Sequence, residues 1–348
     1  MLTTIVSFFV ILLVLILVHE FGHFISAKIF KIKVEEFGIF IPPRIAGFKH
    51  GETIYSINAL PLGGFVKLSG EEDPKAPGSL AGKSIPVRLI TLGAGSLMNL
   101  LLPFVLLSLA MILPHLEDSK QLIVQEVIPN SPAAGAGIQV GDTIVSVNGQ
   151  PISSVEDYSQ PVEENLGKEI TIVIKHSDDT TSEVVLTPRA QVPEGEGPTG
   201  VSITTVITKS YPFWQAIPRG AVYYWDILVA IKDNIVQSIK GVIPFEVSGP
   251  VGIAQVVGEV ARTGISNLLV LTSLISINLG IVNIFPLPAL DGGRIVFVLL
   301  EWVRHGKRVS PKTEQLVHTI GFILLLALIL LVTYRDITRI ISGGSLTS

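Results

Sequence analysis

The chain has 348 residues, of which 48% are hydrophobic and 16% charged, with a formal net charge of −4 and a positive mean hydropathy. That balance points to a polytopic membrane protein with room for a soluble module, and away from a single large soluble globule or a nucleic-acid binder. The absence of cysteine excludes a disulfide framework, a thiolate metal site and a thiol nucleophile, so any metal must be held by histidine and carboxylate.

Four apolar stretches stand out: 2–27, 89–113, 266–285 with an apolar continuation to 303, and 316–333. Each is near or above the ~20 residues that cross ~30 Å of hydrocarbon. The start MLTTIVSFF carries neither a basic region nor a small-residue cleavage site, so 1–30 reads as a retained transmembrane helix and not a removable signal peptide. Residues 28–88 hold nine Lys or Arg against six acids, and Arg304, Lys307, Arg308 and Lys312 precede the last stretch. Both segments are expected on the cytoplasmic side. Residues 117–190 carry a net charge of −8 and belong on the other side, with both termini, after four crossings.

Inside 31–88, "ETIYSINALPLGGFVKLSGEE" (52–72) alternates apolar and polar residues around a 61–64 corner and predicts a membrane-associated β hairpin or small sheet. "GIFIPPRIAG" (38–47), with its adjacent prolines, reads as a loop. In the second helix, 89–113, Gly93, Gly95 and Ser96 permit close helix approach, and Asn99 needs a partner in lipid. Residues 121–188 change to short strands (121–128, 143–147, 169–176, 182–186) with turns at Asn148-Gly149 and Asp178-Asp179. The order strand, short helix at 131–136, Gly-Asp, strand, Asn-Gly in 127–152 is similar to the PDZ family, so an α+β PDZ domain is expected here. Residues 189–265 begin as a linker and continue through an aromatic, charge-interrupted segment, 212–240, read as lying along the outer interface, with a fifth crossing as the alternative. "FEVSGPVGIAQVV" (245–257) leads from it towards the third helix, 266–303, and the fourth spans 315–334.

The chemistry lies in "HEFGH". His19 and His23 are four apart, so a helix projects both imidazoles from one face, with Glu20 rotated aside but within reach of a metal-bound water. Ionisable groups within a span cost several kcal/mol unless paired or metal-bound, which favours a zinc site over packing histidines. Counting back from Lys28 at ~1.5 Å per residue places His19 about 14 Å beneath the cytoplasmic charges. A further, acidic ligand is required from another helix at that depth. In "NLGIVNIFPLPALDGGRIVFVLL" (278–300), Pro286 and Pro288 interrupt the helix before Asp291. Asp291 reads either as the cap of the resumed helix or, beside HEFGH, as the third ligand, its depth agreeing with that of His19 within about 6 Å.

These residues, together with "LPLGGFVKL" (60–68), "GAGSLMN" (93–99), "SGPVGI" (248–253) and "NIFPLPALDGGR" (283–294), resemble the site-2 protease family of intramembrane zinc metalloproteases, in its bacterial form with a single PDZ domain. The resemblance implies that His19, His23 and Asp291 bind Zn²⁺, that Glu20 is the base and that Asn283 holds the substrate backbone or the developing oxyanion. It further implies cleavage within the transmembrane segments of single-span membrane proteins. The 52–68 element would add the unwound substrate as a strand, and the PDZ domain would contact or exclude substrate ectodomains. The site would lie in the cytoplasmic half of a bacterial inner membrane. A metal transporter is the rival reading, disfavoured by the lack of polar groups between Gly321 and Val332.

Overall fold

The computed structural model describes residues 2–193, 195–244 and 248–342, so 245–247 of the run leading to the third helix lie outside it. In chain order the elements are α1 (Leu2–Ile29), β1 (Val34–His50), β2 (Thr53–Leu68), α2 (Ile85–Ile112), β3 (His115–Val127), α3 (Pro132–Gly135), β4 (Thr143–Val147), β5 (Gln150–Pro151), α4 (Val155–Glu164), β6 (Ile170–Lys175), β7 (Thr181–Leu186), β8 (Val201–Lys209), α5 (Phe213–Ile239), α6 (Pro250–Val260), α7 (Ile265–Ile284), α8 (Asp291–Val303) and α9 (Pro311–Ile341). They form two units, Pro114–Ser210 and the remainder of the chain. Four helices, α1, α2, α7 and α9, are long and apolar enough to cross a membrane.

The helical unit is organised on α2. Lipid supplies no hydrophobic drive between apolar helices, so close approach and polar bridges must hold them together. A Cβ on Gly22 of α1 would meet the Ala94 carbonyl of α2, and Ser26 Oγ donates to Thr91 Oγ1 at 3.1 Å. Along α7, Ser266 Oγ reaches the Ala110 carbonyl and Ser276 Oγ the Asn99 carbonyl, while Gly280 lies against Ser96. These pairings run in opposite directions along the two chains, so α1 and α7 are both antiparallel to α2. Gly93, expected to serve the same packing, faces open space.

At the foot of α2, Arg88 donates to Glu301 Oε2 at 2.6 Å and Arg308 donates to Oε1 at 3.1 Å, closing an ion triad over the end of α8 in which Arg88 and Glu301 are nearly buried and Arg308 is exposed. At the other extreme, Asp336 of α9 is buried and accepts the Gly252 N–H at 2.8 Å, capping the first turn of α6. That bond, and the tight approach of Gly249 to Asp336, explain the small residues of the SGPVGI stretch.

One expectation changes here. Residues 38–47 belong to β1 and do not form a loop: pairing passes from Ile41–Leu60 to Arg44–Asn58, so the register slips across Pro42 and Pro43, which have no N–H to give a ladder. β1 also pairs on both sides, Phe37 with Tyr55 and with Val66, so β2 wraps it. The 212–240 segment is one helix, α5, which is not among the four spanning candidates. Its first half runs antiparallel along α2, with Gly220 against Ser108 and Tyr224 O–H donating to the Leu100 carbonyl at 2.9 Å.

The second unit is a six-stranded sheet in the order β7-β6-β4-β3-β8, with β5 paired to β4. Alternation is clean in β6, where Ile170, Ile172 and Ile174 are buried with Leu122, Ile144 and Val147. The turn residues Asn148 and Gly149 adopt φ of 49° and 80°, as an Asn-Gly hairpin requires. The unit extends beyond the expected 121–188 because β8 pairs with β3, for example Val124 with Ile203. It also contains α4, which starts with a reciprocal Ser154–Asp157 capping box.

Two outcomes follow from this packing. Arg88→Met should destabilise the helical unit by about 3 kcal/mol, because it strips one cation from a buried carboxylate, and pairing it with Glu301→Leu should recover most of that loss in thermal unfolding of the detergent-solubilised chain. In the sheet unit, Tyr158 donates to Thr199 Oγ1 at 2.9 Å, and burial pushes its phenol up to about 12. Its folded pKa exceeds the unfolded value near 10, so the contribution is intact below pH ~10 and lost between pH ~10 and ~12, about 2–3 kcal/mol in all. Tyr158→Phe should flatten that part of the stability profile.

Candidate metal centre

The HEFGH stretch forms part of α1 because its flanks are continuously apolar with no proline, and in lipid a helix is what satisfies every backbone group of such a run internally. Helical spacing then stacks His19 over His23, with ring centroids 4.9 Å apart and both rings buried. α8 supplies the carboxylate. Asp291 opens that helix immediately after the irregular 285–290 turn, and its Oδ2 stands 3.0 Å from His19 Nε2 and 3.3 Å from His23 Nε2, with the two nitrogens 3.2 Å apart. Among the described residues this is the one group of three or more His, Cys, Asp or Glu side chains whose donor atoms converge closely enough for a metal.

The double glycine after Asp291 has a steric cause. A Cβ on Gly292 would meet the Phe285 and Ile284 carbonyls at 2.0 and 2.3 Å, and one on Gly293 would meet the Leu287 carbonyl at 2.5 Å. The chain can double back from α7 into α8, and so present Asp291, only if these positions have no side chain.

Hydrogen bonds fix the imidazoles. His23 Nδ1 lies 2.8 Å from the Thr91 carbonyl of α2, which can only accept, so Nδ1 carries a proton and Nε2 is the nitrogen turned towards Asp291. His19 Nδ1 faces the Asn99 side-chain amide at 3.5 Å. Glu20 points elsewhere: its Oε2 accepts the Val66 N–H of β2 at 2.9 Å. Asn283 lies half-buried on the last turn of α7, and its side-chain amide makes no hydrogen bond to the described residues.

Sequence reasoning named all three converging side chains but not what surrounds them. The Thr91 carbonyl and Val66 N–H are backbone groups with no residue signature. Gly95 had been read as general helix packing, whereas a Cβ there would stand 2.4 Å from His23 Nε2 and 2.7 Å from His19 Nε2. It therefore keeps clear the space beside both free nitrogens.

The model of peptidase family M50 matches residues 7–328, a span that holds every one of these side chains. The chain belongs to peptidase family M50. It is 38% identical over 333 residues to a candidate zinc metalloprotease of Clostridium acetobutylicum, covering 93% of this chain and 94% of that one. It is 30% identical over 420 residues to the regulator of sigma-W protease RasP of Bacillus subtilis, and 31% identical over 430 residues to the zinc metalloprotease RasP of Oceanobacillus iheyensis, in each case covering 97% of this chain and 99% of the relative. This M50 peptidase is thus a zinc metalloendopeptidase and, with its four apolar helices, an integral membrane protein. A solved PDZ domain of an SdrC-like protein from Listeria monocytogenes aligns with 25% of the chain at 21% identity and a TM-score of 0.22, too low to establish the fold of that quarter.

The donor set of this M50 chain fits the ion. Tetrahedral zinc with bonds of about 2.0–2.1 Å separates its ligand atoms by about 3.3 Å. The three separations here are 3.0, 3.2 and 3.3 Å. Two imidazoles and a carboxylate at these separations are also the donor types that zinc takes in a catalytic site. Gly95→Ala should therefore push the imidazoles apart and lower zinc content well below that of the unsubstituted chain, read by elemental analysis of the purified protein.

Proposed function

We propose that this M50 peptidase hydrolyses peptide bonds inside the transmembrane segments of single-span membrane proteins, with His19, His23 and Asp291 holding Zn²⁺ and Glu20 as general base. The observation that carries the reading is the meeting of the three donor atoms between α1 and α8 within an apolar helical unit, with Glu20 on the adjoining helix position. Bound there, zinc supplies a Lewis acid that acidifies water towards neutral pKa and polarises the scissile carbonyl. Glu20 takes the proton of the attacking water and passes it to the leaving amine, so water is split between the new carboxylate and the new amine. The free Asn283 amide is placed by this reading as a hydrogen-bond donor to the substrate backbone or to the oxyanion that forms on it.

A transmembrane helix must unwind before attack, because its carbonyls are tied into the helix, and in lipid the freed backbone groups need new partners. The 64–68 edge of β2 would offer them once the Val66 and Leu68 N–H groups exchange the Glu20 and Glu71 carboxylates for a substrate strand. Gly63 and Gly64 let it lie against Ile16 and Leu17 of α1, and its Val66 N–H already reaches Glu20, so an added strand would run beside the base. The family resemblance suggests pre-trimmed anti-sigma factors or signal-peptide remnants as single-span substrates, and the name of the Bacillus subtilis relative, regulator of sigma-W protease, is in keeping with the first. Charge supports the sidedness: basic 28–88 in the cytoplasm, the acidic sheet unit and both termini outside, the zinc in the cytoplasmic half of a bacterial inner membrane. The sheet unit, read as a PDZ domain, would contact or exclude substrate ectodomains.

Glu20→Gln should keep about one zinc per chain while cleavage of a single-span model substrate in detergent or vesicles drops by roughly 10²–10⁴-fold. Asp291→Ala should lose the zinc. Cleavage by Glu20→Gln at the unsubstituted rate would end the mechanism, and full zinc occupancy in Asp291→Ala would remove that carboxylate from the ligand set.

A further inference from the structure

α9 is a helix of 31 residues that exposes nearly its whole length; its buried residues are Gly321 and Asp336. Asp336 is accounted for by the cap of α6. Gly321 faces the opposite end of the fold, where a Cβ would stand 2.2 Å from Pro288 Cβ and 3.0 Å from the Pro288 carbonyl. One turn earlier on the same face, His318 Nδ1 accepts the Ala289 N–H at 2.9 Å, and its ring lies 5.6 Å from that of Phe297 on α8. α9 thus seats itself on the short turn that delivers Asp291.

That turn has little else to hold it. Its other backbone bonds are local: Phe285 N–H to the Val282 carbonyl, Leu287 N–H to the Phe285 carbonyl, Leu290 N–H to the Leu287 carbonyl, and the Gly293 and Arg294 N–H groups to the Leu290 carbonyl. Ala289 sits at φ 77°, a left-handed conformation that an alanine keeps only where its surroundings impose it. Two residues further on is Asp291, so relaxation at Ala289 rotates the carboxylate away from the imidazoles. The histidine is committed to this one bond: with Nδ1 accepting, Nε2 carries the proton, and that buried nitrogen has no hydrogen-bond partner among the described residues.

We infer that His318 is a positioning residue of the metal centre, its Nδ1 holding the Ala289 N–H and so fixing the strained turn that aims Asp291 at His19 and His23. The inference rests on Asp291 being a zinc ligand. It assigns α9 a part in the site although no side chain of α9 reaches the converging donor atoms, and it follows from the narrow tolerance of zinc bonds, about ±0.2 Å. Loss of a group that orients a ligand typically weakens metal binding 10–100-fold.

The test is zinc affinity of the full-length, detergent-solubilised chain, measured by competition with a chromophoric chelator. His318→Leu removes the acceptor and should weaken zinc binding 10–100-fold. His318→Asn places an amide oxygen where Nδ1 stood and should bind within about threefold of the unsubstituted chain. His318→Gln carries the same amide displaced by one methylene and should resemble His318→Leu; it replaces that variant if His318→Leu does not accumulate in folded form. Unchanged affinity in His318→Leu, with Asp291→Ala losing zinc, overturns the inference. So does equal weakening in His318→Asn and His318→Leu, which would mark the imidazole as helix packing. Full zinc occupancy in Asp291→Ala would instead bring down the ligand assignment, and this inference with it.

Discussion

Two imidazole nitrogens and a carboxylate oxygen, mutually 3.0–3.3 Å apart in an apolar helical unit, can stand so close only with positive charge, a proton or a metal ion, among them. Much of the helical unit can be understood as the means of holding that arrangement when lipid supplies no force to press helices together. α1 provides two donors by periodicity alone. The third arrives only because the chain doubles back between α7 and α8, a fold that requires bare backbone at Gly292 and Gly293 and a strained alanine just ahead of them.

α2 contributes no donor atom to the cluster, yet it sets the geometry. Its Thr91 carbonyl decides which nitrogen of His23 is free, and the missing side chain at Gly95 leaves room beside both rings. The pairings of Gly22 with Ala94 and of Ser276 with Asn99 lock α1 and α7 to that same stretch of α2. Ser266 and Ser276 of α7 spend their hydrogen bonds on α2 carbonyls across the interface, which ties the register of that pair to polar satisfaction.

The β element and α9 approach the cluster without joining it. β2 touches Glu20 through the Val66 N–H, which fixes where that carboxylate points. α9 touches the turn ahead of Asp291 through His318 and Gly321 and the start of α6 through Asp336, and between these contacts faces outward with leucine and isoleucine. A helix so exposed in the unit is stable only where lipid solvates it, in keeping with its place among the four spanning helices.

The local patterns were legible in the chain itself. Four apolar runs gave the four candidate spans, the spacing of His19 and His23 gave their shared face, and the prolines ahead of Asp291 gave the break between α7 and α8, because each depends on neighbours within a few residues. Equal depth brought Asp291 to the histidines on paper, but bonds between distant segments decided the rest. β8 pairs with β3 from about 80 residues away and carries no strong alternation of its own, so the sheet unit was drawn too short. α4 announced itself only by the Ser154–Asp157 capping pair, which a proline within the helix obscured. The Val66 N–H on Glu20, the Thr91 carbonyl on His23 and the His318 ring on Ala289 are contacts to main-chain atoms that every residue carries, so side-chain identity cannot encode them. Periodicity and composition therefore determined which groups enter the apolar interior, whereas tertiary packing decided which of their atoms face one another, since a tautomer or a strained turn is fixed only by what lies across from it.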